Sequence, residues 1–572
     1  MIKDIYKILN NGEKNFFYFV FILLCFNSFL ELLTVAAFYP LLQFLFNNNY
    51  NFNFLNILLD YFSLKDVGLN KTIFFLFGLI LIIFFFKNLF YIYFVYQQNK
   101  FVKNIRTRVV NQLINNYIFL SYDFFFKKTL GNILRNTDIA KNFPIIATSL
   151  ITLYSEVLVF FMLIGFLLSM EFKLTFSIIA LLIFLIIIIK GLSKDKFYKL
   201  GVISQKYSEL LNKITLQTFS SIREIKILKK EDFFASKIYK INNLESENNF
   251  LRDVLLQLPK SIVEFTVILI IAIIIISMFL MDYTKPEILI YSSLMAITSA
   301  RLMPSTIRIS SAIQRLKYTQ SMNQILIKEL NLNFITKTQS NQELNKELLA
   351  FKKNIIFSNV NFSYEKNRPI FRKLNLNIKK NSCIGIIGPS GSGKSTFIDL
   401  LMGLLKPTSG FIKFDNIILN YKKNDWKNKI SYVSQSPLFL NDTIEKNIAF
   451  GINEKDINKK LILKVSKKAK IFDDIKRMKL KFKTRISEIS KNLSGGQLQR
   501  IAIARALYRN SELIIFDEAT NALDKFTEEA VLKTLRGLKK RVTIIIISHN
   551  KNNLKICDKI YELKNSRLIY KS

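Results

Sequence analysis

The chain has 572 residues; 50% of them are hydrophobic, 53 are Phe, and the formal net charge is +40. Three Cys and one His exclude a disulfide framework and multi-histidine metal sites. So much apolar sequence exceeds what a soluble protein of this size needs, which indicates a membrane protein. The positive charge could serve nucleic-acid binding or an anionic membrane surface, so its distribution along the chain is informative.

Six long apolar segments precede residue 315, and the core of a soluble protein rarely repeats such runs. Most have about 20 residues or more, enough to cross a hydrocarbon layer of roughly 30 Å as a helix. The first segment is too long for a cleavable signal and lacks a small-residue cleavage site. The predicted membrane helices are 16–46, 72–97, 145–170, 174–190, 261–281 and 287–313.

The basic residues between these helices predict their orientation. Residues 98–144 and 190–260 carry 22 Lys and Arg, whereas the other three connections carry four. We therefore expect the two long segments and both termini to be cytoplasmic. Because the charge serves topology, and no base-stacking or helix-turn-helix motif is present, nucleic acid is not an expected partner. Residues 54–62 predict either an interfacial helix on the outer leaflet or a folded loop cap.

The composition changes after the last apolar segment. Residues 318–350 are polar and predict a linker, and beyond Asn354 short apolar runs alternate with helical patterns, as in an α/β domain. The predicted organisation is therefore a six-helix transmembrane domain at 1–317, a linker at 318–350 and an α/β domain at 351–572.

A phosphate-binding loop is predicted directly after the apolar strand Cys383–Ile387. Its G-x-x-x-x-G-K-S pattern stands between that strand and an apolar helix, the context that such a loop requires. Glycines let backbone N–H groups surround phosphates, Lys394 adds a positive charge, and the Ser395 hydroxyl can bind Mg²⁺. The predicted ATP-binding residues of the loop are Gly388, Pro389, Ser390, Gly391, Ser392, Gly393, Lys394, Ser395 and Thr396.

A second apolar strand, Leu513–Phe516, ends in Asp517 and Glu518. Asp517 is placed to hold Mg²⁺ through water, and Glu518 follows where a general base for an attacking water is needed. At this distance from a phosphate loop, the two acids predict nucleotide hydrolysis.

A signature sequence opens the predicted helix that precedes this strand. It consists of Leu493, Ser494, Gly495, Gly496 and Gln497. In this order, and followed by an Ala-rich helix, these residues resemble the ATP-binding cassette (ABC) family. The resemblance implies that the signature of one subunit faces the phosphate loop of the other. Ser494 and the helix N-terminus would then contact the γ-phosphate across a dimer.

Other positions of the chain resemble the same family. Tyr364 is similar to the aromatic residue that stacks on adenine, and Gln435 to the residue that joins Mg²⁺ and water to the membrane domain. Asp524 resembles the dimer-contact loop, and His549 the switch histidine that holds the γ-phosphate. Glu488 lies in a segment similar to the exporter loop before the signature, with serines in place of its usual glycines.

Six membrane helices followed by one cassette resemble the half-transporter plan of ABC exporters. The resemblance implies an ATPase coupled to transport, a homodimer with two competent sites, and ATP and Mg²⁺ as cofactors. It also implies a bacterial inner-membrane location and two coupling segments, Phe124–Asp138 and Gln217–Phe233. Because no protease domain precedes the first helix, we do not expect a peptide exporter that processes its cargo.

Ionisable residues within the predicted membrane helices are costly, so they should either pair with each other or face a cavity. Arg301 and Arg308 are seven residues apart and share a helix face. If they face a cavity, a cationic stripe doubled in a dimer suits an anionic group such as a lipid phosphate. The candidate cavity residues are Lys87, Lys260, Arg301 and Arg308, and the nearby acids are Glu31, Glu156 and Glu264.

Three local sequences resemble PglK-type lipid-linked oligosaccharide flippases: Ser28–Glu31, Leu258–Lys260 and Arg301–Ser305 with Arg308. The resemblance implies that the basic residues line the substrate cavity. It also implies that the transporter moves a polyprenyl-pyrophosphate-linked oligosaccharide from the cytoplasmic to the outer leaflet.

Three alternatives remain. A lipid A-type or multidrug exporter belongs to the same class, and would favour a broad, aromatic and acidic cavity. An ATP-gated channel or regulator would not need Glu518 and His549, which favour turnover. A nucleic-acid machine with an ABC ATPase is disfavoured by the six predicted spans.

Overall fold

The computed structural model describes residues 8–46, 69–170, 195–331, 351–365, 368–419, 425–487, 493–520 and 523–571. The chain forms two compact units, one of residues 1–120 and 124–342, the other of residues 121–123 and 343–572. Within the described residues the first unit is helical and the second is α/β. This confirms the predicted fold class.

The described part of the first unit consists of helices, several of them very long. Its helices are α1 (Asn11–Ala36), α2 (Phe38–Phe46), α3 (Leu69–Phe119), α4 (Phe124–Lys127), α5 (Leu130–Asn142), α6 (Pro144–Met170), α7 (Lys196–Ser220), α8 (Ile222–Ile227), α9 (Glu231–Leu280) and α10 (Lys285–Asn331). Several extend far beyond the predicted membrane spans, because their polar ends are rich in helix-forming residues and poor in Gly and Pro.

Four described stretches are long and apolar enough to cross a membrane: Asn11–Phe46, Ile73–Phe119, Leu130–Met170 and Glu231–Leu280. They correspond to the predicted spans 16–46, 72–97, 145–170 and 261–281. The span predicted at 174–190 and the segment 54–62 lie outside the described residues. Helix α10 contains the span predicted at 287–313 and is less apolar than these four, because charged and hydroxyl side chains recur along it.

The start of the predicted linker needs correction, because α10 continues to Asn331. Residues 318–331 are therefore helical, and Leu326 and Leu330 belong to the apolar core of the first unit. The polar composition was misleading here, since Gln, Lys and Glu also favour helices. The remaining residues of the predicted linker, 332–350, lie outside the described residues.

Two large apolar clusters, and a smaller one between α2 and α3, stabilise the described part of the first unit. One large cluster joins α1, α3, α5, α6 and α10, and the other joins α1, α2, α6, α9 and α10. Helices α7 and α10 approach closely at Gly201, where an added Cβ would lie 2.1 Å from the Tyr318 carbonyl oxygen. Only glycine fits at such a distance, so this crossing depends on one residue.

The second unit contains two sheets. Its strands are β1 (Asn354–Ser363), β2 (Pro369–Lys379), β3 (Cys383–Ile387), β4 (Ser409–Phe414), β5 (Ile417–Ile418), β6 (Ile430–Val433), β7 (Leu513–Asp517), β8 (Thr543–Ile547), β9 (Lys559–Lys564) and β10 (Arg567–Lys571). The larger sheet has the order β10-β9-β3-β8-β7-β6, parallel except for β10. The smaller is antiparallel, with the order β2-β1-β4-β5.

Helices cover the larger sheet of this unit. They are α11 (Lys394–Leu401), α12 (Ile444–Ile448), α13 (Lys459–Lys468), α14 (Phe472–Arg477), α15 (Gly495–Tyr508) and α16 (Lys525–Leu538). Strands β3, β7 and β8 are almost entirely apolar and buried, as expected for parallel strands covered on both faces. The carboxyl ends of β6, β3, β8 and β7 lie at one edge of the sheet, where ligands bind in such folds.

Candidate functional site

The phosphate loop lies at this edge, between the end of β3 and the start of α11. Gly391 and Gly393 have φ values of +78° and +99°, which glycine adopts without strain. At Gly393 an added Cβ would also lie 2.8 Å from a methyl carbon of Ile370, so the loop has no space there for a larger residue. The loop is thus shaped by its glycines, as the motif predicted.

The polar groups of the loop fit a phosphate group. Lys394 Nζ donates to the carbonyl oxygens of Gly388 at 2.7 Å and Pro389 at 3.1 Å. The Ser392 hydroxyl is buried and has no hydrogen-bond partner among the described residues. A buried unpartnered hydroxyl costs free energy, which a phosphate oxygen at this position would recover. The N-terminus of α11 adds partial positive charge at the same point.

The strand ends supply the predicted acids. Asp517, at the end of β7, accepts a hydrogen bond from the Tyr432 hydroxyl at 3.0 Å. Burial raises the pKa of Asp517, the Tyr432 bond opposes this effect, and the charge of Glu518 adds to it. Oxygen ligands at Ser395, Gln435 and Asp517 match the preference of Mg²⁺.

Glu518, Gln435 and His549 come together as their positions after β7, β6 and β8 predict. Glu518 Oε2 accepts from Gln435 Nε2 at 2.9 Å, and its Oε1 lies 2.9 Å from His549 Nε2. The Glu518 backbone has φ +50°, uncommon for a residue other than glycine. Its N–H donates to the Ile547 carbonyl oxygen at 2.9 Å, which holds this conformation against β8.

The protonation of His549 decides which contact it makes. Its Nε2 lies 2.9 Å from Glu518 Oε1 and 3.3 Å from Lys394 Nζ. A ring nitrogen carries either a proton or a lone pair, so Nε2 cannot donate to Glu518 and accept from Lys394 together. The shorter distance favours Nε2–H donating to Glu518, which leaves Lys394 on the loop carbonyls.

Two polar residues of this site were missed by sequence reasoning. Tyr432 belongs to β6, which pairs with β7, so strand pairing could have placed it near Asp517. Asp399 lies on α11, and burial together with the charge of Asp517 raises its pKa to about 6. The sequence signal that could have identified Asp399 was its place in the helix that begins at Lys394, five residues after that lysine.

Tyr364 lies beside the phosphate loop. Its hydroxyl is 3.4 Å from Thr396 Oγ1, and its ring packs edge-on against Phe362 with centroids 5.0 Å apart. The residue is 49% exposed, so a flat ring can reach it. This geometry fits the predicted adenine contact.

The signature residues start α15. Ser494 is the N-cap: its Oγ accepts from Gln497 N at 3.2 Å, and its own N–H donates to Gln497 Oε1 at 2.9 Å. This reciprocal capping fixes the helix start. Gln497 Nε2 donates to Asp474 Oδ1 on α14 at 3.1 Å, and Arg500 Nη1 donates to Asp474 Oδ2 at 2.9 Å. The signature helix is therefore anchored to its neighbour.

Asp524 is the N-cap of α16 and accepts from Thr527 N at 2.9 Å. This backbone hydrogen bond lowers the pKa of Asp524. In the structure, Asp524, the predicted dimer-contact residue, therefore caps the N-terminus of α16. Glu488 lies outside the described residues.

The first unit contains an intramembrane ion cluster. Glu31 Oε2 on α1 lies 3.0 Å from Lys87 Nζ and 2.9 Å from Arg301 Nε. Glu156 Oε1 on α6 accepts from Arg308 Nε at 2.6 Å. The two carboxylates belong to residues that are only 5% and 7% exposed. Internal pairing, one of the two expectations, therefore describes Lys87, Arg301 and Arg308.

The cluster has further contacts but does not include every predicted cation. Ser305 Oγ donates to Glu156 Oε2 at 2.7 Å, and Arg301 Nη2 lies 4.0 Å from the same oxygen. Lys260 instead lies 4.0 Å from Glu264, one turn along α9, and both side chains are largely exposed. Within the described residues the predicted four-cation stripe is thus a three-cation cluster, because Lys260 has its own partner.

Two family models match this chain. Residues 371–521 match the ABC transporter model, and residues 16–302 match the ABC transporter transmembrane region. A solved structure titled as a bacterial Atm1-family ABC exporter with ATP bound superposes with a TM-score of 0.79. That match covers 98% of this chain and 95% of the other at 19% identity, which shows a shared fold.

Curated relatives match parts of the chain. The lactococcin-G-processing and transport protein of Lactococcus lactis is 38% identical over 41% of this chain and 33% of its own length. A lactococcin-A transport/processing protein of the same species is 28% identical over 83% and 67%. The ATP-dependent lipid A-core flippase 2 of Colwellia psychrerythraea is 33% identical over 46% and 46%.

The aligned regions thus span between one third and two thirds of these relatives. In this family the cassette is an ATPase that is coupled to transport, and residues 371–521 match that domain. The long apolar helices of the first unit match the membrane part. The chain therefore belongs to the ABC transporter family and has the ABC exporter fold, a helical transmembrane domain followed by an α/β nucleotide-binding domain.

Proposed function

We propose that two copies of this chain form a flippase in the bacterial inner membrane, with both termini cytoplasmic. It hydrolyses ATP and moves an amphipathic anionic substrate, a lipid-linked (polyprenyl-pyrophosphate) oligosaccharide, from the cytoplasmic to the outer leaflet. The observation that carries the proposal is the intramembrane cluster, where three cations meet two carboxylates.

An excess of positive charge inside a membrane protein is costly unless an anion compensates it. Among the described residues the cluster has an excess of one positive charge per subunit, from three cations and two carboxylates. The Arg301 Nε–H is also buried without an aligned hydrogen-bond acceptor among these residues. Glu31 is 2.9 Å from that nitrogen but lies outside the direction of its hydrogen. A pyrophosphate group offers oxygens in several directions and would satisfy this donor.

The nucleotide-binding part of the proposal rests on the loop and the strand ends. Ser392, Lys394 and the loop N–H groups would hold phosphates, and the exposed ring of Tyr364 would stack on the adenine. Ser395 and Gln435 would hold Mg²⁺, with Asp517 acting through water. Bound Mg²⁺ would neutralise negative charge on the phosphate oxygens.

The chemical step is assigned to Glu518 and His549. Glu518 would accept a proton from the attacking water, and Gln435 keeps its carboxylate oriented by the 2.9 Å hydrogen bond. His549 would release Glu518 and contact the γ-phosphate instead. Ser494 of the second copy would complete the site, with the N-terminus of its helix directed at the phosphate.

A second candidate is a lipid A-type exporter, favoured by the 33% identity to a lipid A-core flippase. Both cargoes carry phosphate on a lipid, so the cationic cluster could serve either, although the sequence-based expectation for a lipid A-type exporter is an acidic cavity.

Reconstitution in proteoliposomes tests the proposal. Fluorescent polyprenyl-pyrophosphate oligosaccharide and fluorescent lipid A are offered in parallel, and ATP-dependent movement between leaflets is measured. Removing Arg alone would leave buried carboxylates without partners, and removing Glu31 would do the same to Lys87. The test variant therefore exchanges all five charged residues of the cluster for Gln: Glu31, Lys87, Glu156, Arg301 and Arg308. Glu518→Gln serves as the control for ATP dependence.

We expect the quintuple variant to fold and hydrolyse ATP while flipping falls at least about tenfold, since charged hydrogen bonds contribute about 1.5–3 kcal/mol each. Movement of lipid A alone would favour the second candidate. Wild-type flipping of the glycan lipid by the quintuple variant would show that the cluster does not bind the substrate.

A further inference from the structure

Two thiols face each other inside the nucleotide-binding unit. Cys383 is the first residue of β3, and Cys557 precedes β9, the neighbouring strand. Their Sγ atoms are 3.3 Å apart, with the Cys383 thiol directed at Cys557 Sγ. The chain has one other Cys, Cys25, which lies in α1.

Backbone hydrogen bonds hold the thiols in this position. The Cys383 N–H donates to Asp558 Oδ2 at 2.8 Å, and the Asp558 N–H donates to the Cys383 carbonyl oxygen at 2.8 Å. The Cys557 N–H donates to the Leu554 carbonyl oxygen at 2.9 Å. Both residues are therefore fixed next to each other by the sheet itself. A disulfide has an S–S length of about 2.05 Å, so the sulfurs need to approach by only about 1 Å.

We propose that Cys383 and Cys557 form a reversible disulfide when a hydroperoxide reaches the nucleotide-binding unit. In the first step the Cys557 sulfur attacks the peroxide oxygen, giving a sulfenic acid and releasing water or an alcohol. In the second step the Cys383 sulfur attacks the Cys557 sulfur, forming the S–S bond and releasing water. The two thiols lose two electrons and two protons, and the peroxide is reduced. A thiol reductant reverses the reaction by exchange.

The order of the two steps follows from burial. Cys383 is 1% exposed, whereas Cys557 is only partly buried, so Cys557 is the sulfur that a small peroxide reaches first. The hydrogen bond with Cys383 and burial raise the pKa of Cys557. The thiolate fraction at neutral pH is therefore small, and the reaction is slow at low peroxide concentration. We therefore expect the disulfide to form under oxidative stress, when the peroxide concentration is high, more than under ordinary conditions.

The cross-link would join the strand that leads into the phosphate loop to β9. It forms at the amino end of β3, opposite to the end that carries the loop. Gly385, two residues further along β3, is packed so closely that an added Cβ would lie 3.3 Å from Cys557 Sγ. The disulfide thus fastens a strand that is already tightly packed.

The test uses the full-length protein in lipid nanodiscs, treated with hydrogen peroxide and then alkylated under denaturing conditions. Peptide mass spectrometry without reduction should detect a cross-link between the peptides that contain Cys383 and Cys557, with the loss of two hydrogens. Dithiothreitol should restore both thiols. Cys25→Ser should keep the cross-link, whereas Cys383→Ser and Cys557→Ser should each abolish it.

A second measurement, labelling with a sulfenic-acid probe, keeps the proposal testable if a Cys variant folds poorly. In Cys383→Ser the sulfenic acid at Cys557 has no resolving thiol, so a sulfenic-acid probe should label it more than in the wild type. Oxidation of Cys25 without any Cys383–Cys557 cross-link would overturn the proposal, because the peroxide would then have reached the protein. Equal labelling of Cys557 in wild type and Cys383→Ser would overturn it as well.

Discussion

His549 Nε2 and Glu518 Oε1 lie 2.9 Å apart, so the proposed switch residue and the proposed general base contact each other. Lys394 completes this arrangement by resting on the carbonyl oxygens of its own loop. All three side chains have partners within the site, and a nucleotide must exchange these contacts for its phosphates. The proposed catalytic residues are thus held in place by one another.

Exchanging Glu518 for Gln should leave ATP binding intact and slow hydrolysis by about 10²–10⁴-fold, the usual share of a general base. Gln keeps the size of the side chain but cannot accept the proton of the attacking water. Phosphate release and binding of a fluorescent ATP analogue by the purified protein measure the two effects. Hydrolysis near the wild-type rate would remove Glu518 from this role.

Mixed dimers should show that the signature acts across the two subunits. One subunit carries Ser494→Arg, where a bulky cation blocks the helix start, and the other carries Lys394→Ala. If each signature serves the opposite phosphate loop, both lesions fall on one site and the other site stays whole. ATP hydrolysis should then remain at up to half of the wild-type rate.

The control for this experiment keeps the helix cap. Ser494→Asn retains a capping side chain, so a loss of activity specific to Arg reflects the blocked site and not an unravelled α15. A mixed dimer with two inactive sites, next to an active Asn variant, would contradict the arrangement across subunits.

Removing Arg308 should destabilise the protein more than neutralising its partner Glu156. Arg308→Ala leaves the Glu156 carboxylate, whose side chain is 9% exposed. Its remaining partners among the described residues are Ser305 and a distant Arg301. Glu156→Gln leaves Arg308, which is 40% exposed and can reach other polar groups. Breaking a fully buried pair costs about 3–5 kcal/mol, and partial exposure should reduce this to about 1–3 kcal/mol.

Thermal unfolding in detergent, followed by intrinsic fluorescence, measures this difference. The double variant Glu156→Gln with Arg308→Gln should melt closer to the wild type than Arg308→Ala does, because no buried charge is left alone. Equal melting temperatures for Arg308→Ala and Glu156→Gln would contradict the expectation that the carboxylate left alone is the costlier loss.

Asp399 should make the nucleotide-free protein less stable as the pH rises. Its pKa is raised from 3.8 to about 6, so the folded domain binds this proton more tightly than the unfolded chain. The penalty is absent below pH 3.8 and complete above about pH 6. Asp399→Asn should therefore stabilise the protein at pH 7.5 by about 1–2 kcal/mol, after allowance for solvent screening.

Melting temperatures of the wild type and Asp399→Asn between pH 4.5 and 8 test this expectation. The advantage of the variant should shrink as the pH falls below 6. An advantage that stays constant across this range would mean that Asp399 does not carry the shifted proton.

The fold class and most of the nucleotide site could be predicted from sequence because their signals are local. The glycines, Lys394 and Ser395 form one contiguous loop, and apolar runs of about 20 residues indicate membrane helices without reference to any partner. The roles of Glu518 and His549 were predicted separately, and their contact is explained by the fold, since the carboxyl ends of neighbouring parallel strands lie at one edge of a sheet.

Relationships between distant residues were decided by the tertiary structure. The pairing of Glu31 with Lys87 and Arg301, the separation of Lys260, and the thiol contact of Cys383 with Cys557 join positions from different elements. A charge pattern names the residues that could pair but not their partners, because helix packing determines which side chains meet. The amino-acid composition predicted the wrong end for α10 because this end also depends on helix packing. Burial of Leu326 and Leu330 keeps a polar segment helical.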